Sequence, residues 1–183
     1  MPITAPFEPS LFADAAFNVV AYLMFLGNFV VAAIGQAVTP RLAAVCRADP
    51  IAYRRLVLRL VGYGAALGVA GLAVALVAGD SILRLLYGDR YAGHGALFAW
   101  VMLGGAVFYV ASLLWYAAVA ARRLAAQPFI LLVAMAVTTV ACVFLVPAHG
   151  AIGASWSLTL GFLVRLVGGA FTVMPARSER NRA

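Results

Sequence analysis

The stretch from Ala96 to Ala121, ALFAWVMLGGAVFYVASLLWYAAVAA, contains no charged residue and no alternation of polar with apolar side chains. Coiled as a helix at 1.5 Å per residue, such a run covers the ~30 Å of hydrocarbon that a membrane span must cross, a task that takes about 20 residues. Strands in a membrane barrel would alternate, and these residues do not. Working outward, the same reading applies to residues 15–38, 60–78, 128–146 and 151–173. With the central run at 96–121, they make one membrane domain of about five helices. Composition agrees: 66% of the residues are hydrophobic, 10% are charged and the mean hydropathy is +1.03. A soluble domain is about half apolar and a quarter charged, so lipid must solvate much of this chain. Backbone groups in lipid must be satisfied within the chain, which makes the fold class all-α integral membrane.

All 13 basic residues are Arg, and they give a net charge of +7. In a soluble protein that balance would suggest nucleic acid, but here the charge lies in short connections between spans. Arg41, Arg47, Arg54, Arg55 and Arg59 follow the first span, Arg122 and Arg123 the third, and Arg177, Arg180 and Arg182 the fifth. Arg84 and Arg90 fall on the opposite side, and Arg165 falls inside a span. The positive-inside rule therefore puts the N-terminus outside and the C-terminus in the cytoplasm, with the bilayer rather than nucleic acid as partner. Residues 1–14 carry Glu8 and Asp14 but no basic residue, so they lack a signal-peptide n-region. A first span entering from outside normally follows another helix, and the expectation is the C-terminal portion of a longer protein.

Local signals add detail. Asp49 before Pro50 is a helix start, with Asp capping and Pro at the first position, so the second span is expected to begin as an extension carrying Arg54, Arg55 and Arg59. Residues 80–88 (DSILRLLYG) predict a short separate helix lying in the interface. Gly64 and Gly68 form a GxxxG step beside Gly71, suited to close packing within the chain more than to dimerisation. Cys46 and Cys142 fall at different membrane depths and are expected to be free thiols.

Four stretches carry a family resemblance: IGQAVTPRLA (34–43), ILRLLYGDRYAGHGALF (82–98), AARRLAAQP (120–128) and LVPAHGAIGASWS (145–157). In order, spacing and sidedness they resemble the C-terminal half of polysaccharide and O-antigen flippases of the multidrug, oligosaccharidyl-lipid and polysaccharide exporter superfamily. The similarity extends from about Phe17 to Val173, and no single motif is diagnostic. It implies one lobe of a two-lobe transporter in the cell inner membrane. Such a lobe would move a lipid-linked oligosaccharide precursor by alternating access, together with an N-terminal lobe that these residues do not include. A drug or small-metabolite exporter of the same superfamily is the first alternative. A non-transporting scaffold for a glycan-assembly complex is the second.

Two residues stand out as candidates for substrate binding. Arg165 is a charge inside a span, about 12 Å of helix from the inner end at Val173, and an intramembrane charge marks a functional site unless it snorkels. Asn28 is mid-membrane in the first span, whereas Asn18 and Gln36 lie near opposite interfaces and are explained by solvation. By resemblance, Arg165 would contact the diphosphate of the lipid carrier, which its planar fork of donors matches. No enzyme, cofactor or metal is expected. His94 and His149 have no acidic neighbour in sequence, the spans contain no Asp or Glu, and the absence of any Lys rules out a phosphate-binding Walker loop.

The orientation makes a direct prediction. With the native cysteines replaced, single cysteines near Arg54, Arg122 and Ser178 should be shielded from an impermeant thiol reagent in intact cells, and one near His149 should react. The opposite pattern would invert the topology.

Overall fold

The computed structural model describes residues 9–87 and 95–173. Among the described residues the chain forms four helices: α1 (Pro9–Ala48), α2 (Pro50–Tyr87), α3 (Gly95–Ala120) and α4 (Gln127–Val173). All four are long and apolar enough to cross a membrane. The fourth is two arms rather than one rod. Gly150 sits at φ 57° and ψ −134°, outside the helical region and accessible essentially to glycine alone. Beyond it the chain returns on itself: Gly153 lies against the Leu145 carbonyl, Gly161 against Thr138, and Gly168 against Ile130. These pairings describe an antiparallel hairpin whose arms correspond to the two spans read at 128–146 and 151–173. Pro147 remains inside the helix, so the turn comes at Gly150 and not at the proline.

The bundle is organised around α3, much the most buried of the helices. Three consecutive small residues, Gly104, Gly105 and Ala106, point 100° apart and meet three different elements. A side chain added at Gly104 would stand 2.7 Å from the Thr159 hydroxyl of α4, and one at Gly105 would stand 2.8 Å from Met24 of α1. Across from Ala106 is Gly68 of α2, where an added methyl would be 2.5 Å from the Ala106 Cα. The GxxxG step thus packs within the chain, with Gly64 against Leu113 and Val110 one turn farther along α3. Contacts 24/105 and 35/116 make α1 parallel to α3, contacts 68/106 and 79/98 make α2 antiparallel, and 104/159 with 114/169 make the second arm of α4 parallel. Tyr109 donates to the Met24 carbonyl at 2.7 Å and Tyr53 to the Ala117 carbonyl at 2.9 Å, tying α1 and α2 to α3 through buried hydrogen bonds.

Caps fix the connections. Asp49 accepts from the Ile51 and Ala52 amides at 2.8 and 3.0 Å, the N-cap expected before Pro50. Asp80 accepts from the Gly95 amide at 2.9 Å and so caps α3 from a neighbouring helix. The separate interfacial helix expected over residues 80–88 is not present as such, because α2 runs unbroken to Tyr87. Leu83 is fully buried in the core, and one continuous helix keeps the backbone bonded while inserting it. At 38 residues α2 is about 57 Å long, well beyond the hydrocarbon. Its first turns carry the exposed Arg54, Arg55 and Arg59. Those side chains gather with exposed Arg41, Arg122 and Arg123 at one end of the bundle, while Arg84 and the Gly150 turn lie at the other. Large apolar side chains such as Phe29, Val77, Phe129 and Phe171 are exposed on the outer faces, as a lipid-solvated surface requires.

Packing at Gly68 makes a paired prediction. Gly68→Val should destabilise the chain by about 1–3 kcal/mol through overpacking against Ala106. Gly62→Ala, where an added methyl meets nothing within 4 Å, should be neutral or stabilising by up to about 1 kcal/mol. Thermal unfolding in detergent, followed by circular dichroism, separates the two.

Candidate functional site

Arg165 projects from the second arm of α4 toward α3. Its guanidinium lies 5.5 Å from the centre of the Phe108 ring and 5.9 Å from that of Trp115, so two aromatic faces hold the cation. These rings are seven residues apart in the C-terminal half of α3, and Phe108 is itself packed on Phe162 at 4.8 Å. The side chain is half-buried between helices.

Beside the guanidinium is a cavity of about 10 Å³, lined by Ala111, Trp115, Gln127, Ile130, Arg165 and Gly169. That volume is close to one water site. Gln127 is only 4% exposed, and its Oε1 has no hydrogen-bond partner among the described residues. A cavity of that size beside a buried acceptor is where a water completes the hydrogen bonding. Among the described residues no carboxylate lines the pocket, and the guanidinium faces the rings of Phe108 and Trp115. Chemically the guanidinium offers a fork of donors to an oxyanion or to water, whereas the Gln127 Oε1 can only accept, from water or another donor.

The structure does not bring the second candidate into this pocket. Asn28 is half-buried on α1 and is not among the lining residues. Its neighbour Gly27 abuts the Tyr109 hydroxyl, so that part of α1 serves α1–α3 packing. Asn18 and Gln36 are exposed. His149 stacks on Trp156 at 5.0 Å, and Trp156 meets Trp100 edge to face at 5.5 Å, an aromatic cluster near the Gly150 turn. His94 lies outside the described residues. Cys46 and Cys142 are both free.

Sequence reading missed Gln127. It precedes Pro128 and follows two Arg residues and a short linker, where a polar side chain is ordinarily solvated. The turn at residues 121–126, closed by bonds from the Arg122 amide to the Val119 carbonyl and from the Gln127 amide to the Leu124 carbonyl, carries it back over the bundle. Only that turn reveals that the residue faces inward.

No family model matches the sequence, and no solved structure does. Among curated proteins, the chain is 22% identical over 153 residues to the capsular polysaccharide biosynthesis protein CapF of Staphylococcus aureus. The alignment covers 82% of this chain and 38% of that protein, so the chain spans well under half the length of its relative. An all-helical chain with membrane-spanning helices and a distant relation to a polysaccharide-biosynthesis protein is the class that fold, site and comparison together define.

The buried amide yields a stability prediction. Gln127→Met keeps the shape of the side chain and removes the acceptor that the water completes, so it should lower unfolding stability by about 1 kcal/mol. A gain of stability of that size would show that no bound water satisfies Gln127.

Proposed function

We propose that this chain is one lobe of a membrane transporter that moves a lipid-linked glycan precursor between leaflets, with Arg165 contacting the phosphate of the carrier. The observation that carries the reading is the placement of Arg165. A cation within the bundle costs at least ~2.5 kcal/mol at the membrane centre, and the structure keeps it between α3 and α4 without a carboxylate at its pocket among the described residues. Such a cost is retained where the charge meets an anionic ligand. The relation to a polysaccharide-biosynthesis protein supports a glycan as the cargo, and the resemblance to flippase C-terminal halves supports alternating access. In that mechanism a second lobe completes the cavity, the guanidinium holds a phosphate oxygen pair, and hydrocarbon remains in the bilayer. A drug exporter would gain nothing from an unpaired interior cation, which favours the glycan reading.

Substitutions in the chromosomal copy of the gene test this directly. Arg165→Leu should abolish most export of the surface glycan at unchanged membrane abundance. Arg165→Lys should restore only part, because it keeps the charge and the contact with Phe108 and Trp115 but loses the planar fork. Normal glycan display with Leu would eliminate the phosphate role.

A further inference from the structure

The two arms of α4 leave an open apolar groove of about 450 Å³ on their outer face. Phe129, Val133 and Val137 line one side, and Leu160, Leu163 and Val167 the other, with almost no polar surface between them. From Phe129 to Val137 the groove is about 12 Å long, within the ~15 Å depth of one leaflet.

The end of this groove is chemically different from its walls. The turn that precedes α4 places exposed Arg122 and Arg123 just beyond Phe129, and Arg123 donates to the Thr172 carbonyl at 3.1 Å, at the end of the opposite arm. Arg122 is held at φ 57°, a left-handed conformation that a bulky residue seldom adopts. The bond to Thr172 fixes the Arg123 guanidinium at the end of the groove, and the exposed Arg122 adjoins it in the same turn.

We propose that this groove is a binding site for an anionic phospholipid of the leaflet at the basic end, with one acyl chain between the arms of α4 and the phosphate at Arg122 and Arg123. The site is separate from the Arg165 pocket. Ile130 lies over Gly168 and forms the partition, with the groove on one side and the cavity on the other. Charge complementarity selects the occupant: basic residues at a membrane surface attract anionic headgroups, and a helix from another protein would have no use for paired cations at the end of an apolar channel. A bound lipid would also cover the exposed side chains of Phe129, Val133 and Val167.

The chain in nanodiscs containing equal phosphatidylglycerol and phosphatidylcholine, released and weighed by native mass spectrometry, tests the site. Phosphatidylglycerol should be retained at least threefold over phosphatidylcholine. Removing charge in Arg122→Gln should weaken its retention about fivefold, the effect of one basic residue at a membrane surface. Arg122→Lys should keep it. Val164→Trp, which fills the groove and leaves the headgroup site intact, should reduce retention with unchanged helix content. Equal retention of the two lipids, or retention indifferent to both Arg122→Gln and Val164→Trp, would overturn the proposal. A groove occupied by another protein, detected by crosslinking from Val133, would overturn it as well.

Discussion

Three neighbouring small residues on α3 set the geometry of everything else. Because Gly104, Gly105 and Ala106 face α4, α1 and α2 in turn, each partner approaches the central backbone at the same depth. In lipid the hydrophobic effect gives helices no reason to prefer one another over acyl tails, so association rests on van der Waals packing and a few hydrogen bonds. Close approach at one level of α3 supplies the first, and the Tyr109 and Tyr53 hydroxyl contacts to carbonyls of α1 and α3 supply the second. Bulk placed at this level would separate three interfaces at once.

The Arg165 pocket follows from the same arrangement. Thr159 meets Gly104, and Gly169 meets Leu114, so the second arm of α4 is aligned in parallel with α3 over ten residues. Arg165 falls between these contacts and finds Phe108 and Trp115 opposite. The first arm closes the pocket from the side by bringing Gln127 and Ile130 over it. A guanidinium on two rings retains its charge and its outward-facing donors, whereas a carboxylate partner would have consumed both.

Much of this was legible in the residues. Long uncharged runs specify membrane helices, Asp49-Pro50 specifies a helix start, and the GxxxG step at Gly64 and Gly68 specifies close packing, because each signal is local and has a direct physical cause. Arg165 was visible for the same reason: a charge in a span is conspicuous. What could not be read is tertiary. The ends of α2 reach past the apolar window 60–78 because Asp80 and Leu83 are engaged by other helices. Similarly, α1 continues through Pro40 to Ala48, since a proline removes one helical donor and a helix at a membrane surface tolerates that loss. Gln127 looked like a loop residue, and Asn28 like a lining residue, because neither position reveals which neighbour it will face.

If a phosphate-bearing glycan lipid passes the Arg165 pocket, it passes within reach of Trp115. Trp115 lines that pocket and stacks on the guanidinium, and a benzoylphenylalanine at position 115 would report what passes there. In irradiated cells making the surface glycan, the account predicts a covalent adduct carrying glycan and phosphate that disappears when Arg165 is replaced by Leu. Adducts containing only ordinary phospholipid or protein, unchanged by that replacement, would contradict it.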